Sequence, residues 1–273
     1  MSVKAAVPPD VWVSRGPLAT IRVTFSRIIT FCLVELQKLS HDRTELFTRA
    51  IQPILWLGIF GTTFSRVRAI PTGDVSYLAF MSPGVIAQSG MFVAIFYGIQ
   101  IIWERDAGIL AKLLVTPTPR VALAAGKAFA AGIRSVAIAL VVIAFALIIR
   151  VDLTLNPLKW LAACGVVMLG SAFFCCLSLC IAGLVLHRDR LMGIGQAITM
   201  PLFFASNALY PIEMMPSWVQ VLARVNPMSY EVSMLRGLLL GQPTNYLADL
   251  TVLIVAGVVG IAVASSLMGR LSR

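Results

Sequence analysis

Charged residues are scarce in this sequence. Asp, Glu, Lys and Arg make up 12% of its 273 residues, whereas 59% are hydrophobic, and the mean hydropathy is +0.89. A soluble core cannot absorb that much apolar surface, so the composition indicates an integral membrane protein. The formal net charge is +10, but Lys and Arg lie mostly in short segments between apolar runs. This distribution fits orientation in a membrane and argues against a nucleic-acid partner.

Side chains that commonly carry catalysis or bind metals are also few. There are two histidines, His41 and His187, and five cysteines, four of which fall in one apolar run (Cys164, Cys175, Cys176 and Cys180). Thiols in apolar surroundings behave as small hydrophobes. We therefore expect no catalytic residue and no metal site, and no clustered nucleophile and base supports a lipid-modifying enzyme.

A phosphate-binding loop is missing too. Such a loop requires G-x-x-x-x-G-K-[ST], but Gly126–Lys127 is followed by Ala128, and Val121 stands where the first glycine should be. The chain is therefore not expected to be an enzyme or to hold a nucleotide cofactor itself.

Six apolar runs are present, and they predict an all-α integral membrane protein with six transmembrane helices. The runs are residues 46–65, 77–102, 122–149, 158–186, 193–210 and 246–267. An even number of crossings puts both termini on one side. That side carries fifteen Lys and Arg residues and the opposite side six, so both termini are predicted to be cytoplasmic in the cell membrane. No signal-peptide pattern precedes the first run, so we expect the chain to keep Met1.

Residues 1–45 are predicted to form a cytoplasmic N-terminus, and residues 46–273 a six-span domain. Within 20–40, apolar residues recur at three- and four-residue steps, which predicts an amphipathic helix. Two interpretations are open: the helix lies at the membrane interface, or it packs only on its own protein. The residues of its apolar face are Ile21, Phe25, Ile28, Cys32, Leu36 and Leu39.

The cytoplasmic loop 103–121 contains a short apolar stripe. Gly108 precedes the stripe, and Pro117 and Pro119 end it. Because so short a helix cannot bury its stripe alone, it is suited to insert into a groove on a partner protein. The alternative is a solvated loop whose leucines pack on the chain's own spans. The stripe consists of Ile109, Leu110, Leu113 and Leu114.

Segment 211–241, between the fifth and sixth runs, contains two amphipathic stretches that are too short to cross a bilayer. Asn226 can cap a helix that begins at Pro227. Irregular backbone at membrane depth needs cover from protein or a water-filled cavity, so the segment is predicted to form external re-entrant half-helices. Its charged residues Glu213, Glu231 and Arg236 either pair locally or gate an exit.

Arg134 lies inside the third apolar run. An intramembrane arginine is costly and points to a function. Two interpretations are open: the side chain snorkels to the cytoplasmic headgroups, or it faces the interior of the assembly.

These motifs together resemble the type 2 ATP-binding-cassette exporter permeases, and most closely the daunorubicin-resistance branch. The resemblance covers about residues 20–270. It rests on residues 77–84 (YLAFMSPG), 103–110 (WERDAGIL), 113–117 (LLVTP), 211–216, 226–230 (NPMSY) and Arg236. It implies a six-span permease that dimerises and pairs with two copies of a cytosolic ATPase, which binds ATP and Mg. Loop 103–121 would then be the coupling helix, residues 20–40 the connecting helix, and 211–241 the cap of the pathway.

The sequence and the resemblance together predict an efflux permease. It would move an amphipathic drug or lipid-like substrate out across the cell membrane, as antibiotic-resistance exporters do, in contact with membrane lipids and with a second permease copy or a paralogue. The alternative is an ion-coupled secondary transporter, which should show acidic groups at mid-membrane and inverted repeats. The predicted coupling residues are Glu104, Arg105, Gly108, Leu110 and Leu113. The predicted exit-gate residues are Asn207, Tyr210, Pro211, Glu213 and Tyr230.

Overall fold

The computed structural model describes residues 25–34, 36–37, 43–67, 75–108 and 119–271. Over these ranges all regular structure is helical and there is no strand. The all-α prediction is therefore confirmed.

The helices are labelled here in chain order. The first half comprises α1 (Phe25–Val34), α2 (Arg43–Leu55), a π-helical turn (Trp56–Gly61), α3 (Thr62–Val67), α4 (Tyr77–Ile99), α5 (Ile101–Asp106) and α6 (Arg120–Ile148). The second half comprises α7 (Pro157–Val185), α8 (Arg188–Phe204), a 3₁₀ turn (Ile212–Met214), α9 (Ser217–Val225), α10 (Pro227–Leu240) and α11 (Tyr246–Leu271).

Four helices are long and apolar enough to cross a membrane. They are Tyr77–Asp106, Arg120–Ile148, Pro157–Val185 and Tyr246–Arg270. A multi-pass membrane protein is therefore confirmed. The first and fifth predicted runs fall on α2 to α3 and on the 17-residue α8.

One predicted boundary is wrong. The fifth run was expected to continue to Tyr210, but α8 ends at Phe204. The chain turns directly after the helix, where the Ser206 hydroxyl accepts a hydrogen bond from the Ala208 amide at 3.3 Å. Serine side chains compete with helical hydrogen bonding in this way, and hydropathy alone does not detect it.

Helix α7 forms the centre of the bundle and packs against α4, α6, α10 and α11. Small residues let the backbones approach: a Cβ on Gly98 of α4 would lie 2.8 Å from the Cys175 carbonyl oxygen. Nearby, the Ser178 hydroxyl donates to the Ile95 carbonyl at 2.7 Å. The bundle is therefore held by close backbone contacts as well as by apolar packing.

Helix α1 lies where the amphipathic N-terminal helix was predicted. Phe31 packs over Gly126 of α6, where a Cβ would meet its ring at 2.5 Å. Phe25 and Leu33 are 65% and 56% exposed. The helix therefore contacts its own protein and still presents apolar surface, as an interfacial helix does. Ile21 and Leu39 lie outside the described residues.

Candidate functional site

Helix α5 is joined to α6 by a largely buried ion pair. The Lys127 ammonium lies 2.7 Å and 2.6 Å from the two carboxylate oxygens of Glu104. The Lys127 side chain is 4% exposed and that of Glu104 is 29% exposed. Removing one member of a buried pair leaves an uncompensated charge, so this contact fixes the end of the second long helix against the third.

Two more contacts hold the same short helix. The Arg105 guanidinium donates to the Leu186 carbonyl at 3.0 Å and pairs with Asp106 at 3.0 Å. The Arg188 guanidinium lies over the Trp103 ring, 4.6 Å from its centroid. We call residues 103–105 together with Lys127, Leu186 and Arg188 the loop clamp, because it ties the start of loop 103–121 to α6, α7 and α8.

The predicted coupling residues Glu104 and Arg105 therefore bond within the chain. Gly108 follows the clamp with φ of +71°, a conformation that other residues adopt only with strain. Leu110 and Leu113 lie outside the described residues. Coupling stays a prediction, but the geometry gives Glu104 and Arg105 a positioning role at the base of the stripe. Apart from Asp106, which is adjacent to Arg105, their partners Lys127 and Leu186 lie 23 and 81 residues away in sequence, so local pattern could not reveal them.

A groove runs between α2, α4 and α8. It consists of two cavities, of about 250 and 610 Å³, that share Arg49 and Phe96 in their walls. The smaller reaches Gln52 and Gln88, and the larger reaches Gln100, Trp103 and Met192. Their volumes are near or within the range of small-molecule sites. The sequence analysis missed this groove, and the available signals were the glutamines within apolar runs, Gln52, Gln88 and Gln100.

At the opposite end of the bundle, Asn226 joins three helices. Its side-chain oxygen accepts from the Met228 amide at 3.1 Å, which confirms the predicted cap of α10. Its amide nitrogen donates to the carbonyls of Leu202 at 2.6 Å and Ala205 at 2.9 Å. Carbonyls at a helix end have no helical partner, so Asn226 also closes the end of α8.

Arg236 holds the loop after α8 against α4. Its guanidinium donates to the carbonyls of Phe80 at 3.2 Å and Ala208 at 3.4 Å, and also to that of Asn207. The group lies over the Phe80 ring, 3.6 Å from its centroid. No ion pair joins it to Glu231 in the part of the chain that the structure describes. Local pairing of these two charges is therefore wrong, because Arg236 is engaged by main-chain carbonyls.

The predicted exit-gate residues lie in the segment that follows α8, except Tyr230, which lies in α10. The Tyr210 hydroxyl donates to Phe204 at 2.7 Å, and Tyr230 donates to Arg224 at 2.5 Å. Burial raises the pKa of the Tyr210 hydroxyl. Pro211 precedes the 3₁₀ turn that holds the exposed Glu213. Asn207 takes part through its carbonyl oxygen.

Arg134 lies inside the bundle. The residue is 7% exposed, and its guanidinium is 5.1 Å from the centroid of the Tyr97 ring. Stacking on an aromatic face is a favourable way to hold a desolvated guanidinium. The snorkelling interpretation therefore does not describe this side chain, which faces the packed helices.

An all-helical bundle with several helices long and apolar enough to cross a membrane defines a multi-pass membrane protein. The model of the ABC-2 type transporter family matches residues 27–240, and the chain belongs to that family. It is a transport permease of the ATP-binding-cassette class.

Three relatives show the range of the similarity. The transport permease ycf38 of Cyanophora paradoxa is 28% identical over 73% of this chain and 69% of its own length. The daunorubicin resistance ABC transporter permease protein DrrB1 of Streptomyces coeruleorubidus is 25% identical over 95% of this chain and 90% of its own. Nodulation protein J of Rhizobium leguminosarum bv. trifolii is 28% identical over 73% of this chain and 75% of its own length. The predicted family resemblance is confirmed.

Proposed function

We propose that this permease exports an amphipathic molecule across the cell membrane and is driven by a separate ATPase that docks on loop 103–121. The observation that carries the proposal is the loop clamp. It connects the base of the apolar stripe rigidly to α6, α7 and α8. A push on the stripe would therefore move several membrane helices together, as rigid-body transmission requires.

The proposal includes six spans with both termini in the cytoplasm. Helices α2 to α3 cover 25 residues, about 37 Å at 1.5 Å per residue, and would supply the first span. Helix α8 has 17 residues, about 26 Å, and would supply the fifth. Both lengths approach or exceed the roughly 30 Å of a bilayer core.

Helices α9 and α10 would form the external re-entrant pair. Glu231 of α10 lies against Gly170, near the middle of α7, where a Cβ would collide with its carboxylate. Asn226, between the two helices, bonds two otherwise unsatisfied carbonyls. This supports a re-entrant segment, because non-helical backbone at membrane depth needs protein partners.

The assembly would contain two permeases, either two copies or this chain with a paralogue, and two ATPases that bind ATP and Mg. The pathway would lie between the facing second and fifth spans, with the exit near Tyr210 and Tyr230. Relatives named for daunorubicin and doxorubicin resistance support efflux as the class of activity. They do not specify the substrate of this chain.

Ion-coupled transport is the second candidate, and Glu231 is the observation that favours it. The residue is fully buried, and neither carboxylate oxygen has a hydrogen-bond partner within the ranges that the structure describes. An intramembrane acid of this kind is typical of proton or ion pathways. Transport driven by a proton gradient in vesicles that contain no ATPase would support this candidate.

The deciding experiment is co-purification of the full chain with its ATPase from membranes, using wild type, Leu113→Asp and Glu104→Ala. Leu113→Asp should weaken association at least tenfold, because a carboxylate enters an apolar contact. Glu104→Ala should keep more of the association but lower substrate-stimulated ATP hydrolysis, because the clamp is loosened. Asp152→Ala, at an exposed carboxylate outside the clamp, should match the wild type. If no ATPase accompanies the wild type, or if Leu113→Asp binds equally well, the proposal is wrong.

A further inference from the structure

The groove between α2 and α4 contains an unusual polar group. Gln88 is 2% exposed and lines the smaller cavity, yet among the described residues neither its amide nitrogen nor its amide oxygen has a hydrogen-bond partner. The adjacent Ser89 differs, because its hydroxyl donates to the Ile86 carbonyl of its own helix at 2.7 Å. A buried amide with both ends unbonded is costly, so the cavity is suited to an occupant that both donates and accepts.

The walls next to Gln88 are aromatic. The rings of Phe92 and Phe96 are stacked with an interplanar angle of 16° and a centroid distance of 6.4 Å, and both line the smaller cavity. Flat faces of this kind favour contact with another aromatic ring system. The middle of the groove therefore suits a flat apolar body.

The groove becomes polar and charged again at the end nearest the loop clamp. Gln100 and Glu104 line the larger cavity, and Arg49 belongs to both cavities. Gln88 and Gln100 are 12 residues apart, so this end lies about 18 Å along the helix from Gln88. The groove is thus polar beside Gln88, aromatic at Phe92 and Phe96, and polar and charged again beside Gln100 and Glu104, with Arg49 in the walls of both cavities.

We infer that this groove binds an elongated aromatic amphiphile. The ligand carries a hydroxyl or amide-like group at one end, and this group forms hydrogen bonds with the Gln88 side chain. A phospholipid acyl chain fits the apolar middle but offers nothing to the Gln88 amide. The inference rests on the proposed exporter in treating this ligand as cargo. The binding itself requires no ATPase.

The test uses the full-length permease in lipid nanodiscs and two probes, 1-pyrenebutanol and 1-butylpyrene, which differ by a terminal hydroxyl. Energy transfer from tryptophan to pyrene reports binding. Wild type should prefer the alcohol by roughly tenfold, because only the alcohol satisfies a buried amide. In Gln88→Leu the preference should fall to near one. Gln196→Leu, which changes an exposed glutamine outside both cavities, should keep the wild-type preference.

A second variant guards against misfolding of Gln88→Leu. Phe96→Ala, at the wall shared by both cavities, should weaken both probes equally and leave their ratio unchanged. A wild-type ratio near one would overturn the inference, since water would then satisfy Gln88. Bound phospholipid that neither probe displaces would also overturn it. Neither result would affect association with an ATPase, so failure here is distinct from failure of the proposed function.

Discussion

At the scale of single residues, several buried charged side chains of this protein are held by groups distant in sequence. Lys127 meets Glu104, and Arg236 meets carbonyls of Phe80 and Ala208. Sequence patterns identified Glu104 and Arg236 as notable but could not supply their partners. The partners depend on how the helices pack. Rotating one helix about its axis by the angle of a single residue would bring different groups into contact.

The loop clamp predicts an asymmetric response to mutation. Glu104→Leu should lower the free energy of unfolding by roughly 3 kcal/mol, because it leaves the Lys127 ammonium buried and unpaired. The double variant Glu104→Leu/Lys127→Leu should recover much of this loss, because no charge then remains. Thermal unfolding of the purified permease in detergent measures both.

The matched control for this cycle is Asp106→Leu. Asp106 pairs with Arg105 at 48% side-chain exposure, and exposed pairs contribute at most about 1 kcal/mol. Equal losses of unfolding free energy in Glu104→Leu and Asp106→Leu would refute the loop clamp. So would a double variant that loses as much unfolding free energy as its two single changes together.

At the scale of elements, apolar runs predicted where the long helices lie, because about 20 apolar residues have few other stable conformations. The cap at Asn226 was predictable as well, since Asn-Pro at a helix start is a local signal. The end of α8 was not, because it depends on the turn at Ser206 and on amide bonds from Asn226. The α2–α4–α8 groove could not be predicted from the sequence either, because it forms only where three helices pack together.

Asn226 offers a test of how α8 and α10 are joined. Asn226→Ala should cost about 2–4 kcal/mol, because it removes a cap and leaves the carbonyls of Leu202 and Ala205 without a donor. Asn226→Asp keeps the cap acceptor but sets a carboxylate oxygen against both carbonyl oxygens, so its cost should be at least as large. Hydrogen exchange at the Met228 amide should increase in the alanine variant only.

Asn156 provides the comparison for this test. It caps α7 through the Leu158 amide at 3.0 Å, is exposed and bonds no second helix in the part of the chain that the structure describes. Asn156→Ala should therefore cost about 1 kcal/mol. If both alanine variants lose the same stability, Asn226 acts as a simple cap and not as a joint between helices.

At the scale of the whole molecule, α7 is the shared packing partner, and polar side chains fix the bundle at both ends. The loop clamp holds one end, and Asn226 with Arg236 holds the other. The helices between them are joined mostly by apolar and small residues, which allow sliding more readily than bonded joints do. This arrangement fits a body that receives a push at one end and changes access at the other.

The positive-inside asymmetry predicts which end of the bundle lies in the cytoplasm, where an ATPase could act on it. Cysteine labelling in whole cells can check this prediction. In a background with the five native cysteines replaced by alanine, Asp152→Cys and Glu213→Cys should react with a membrane-impermeant maleimide in intact cells. Asp106→Cys and Arg190→Cys should react only after permeabilisation. All four positions are exposed in the structure, so a failure to react reports sidedness and not burial. The expectation follows from fifteen Lys and Arg residues on the predicted cytoplasmic side against six on the other, a difference that orients helices during insertion. The reverse labelling pattern would place the loop clamp outside the cell, where no cytosolic ATPase could reach it, and would end the exporter proposal.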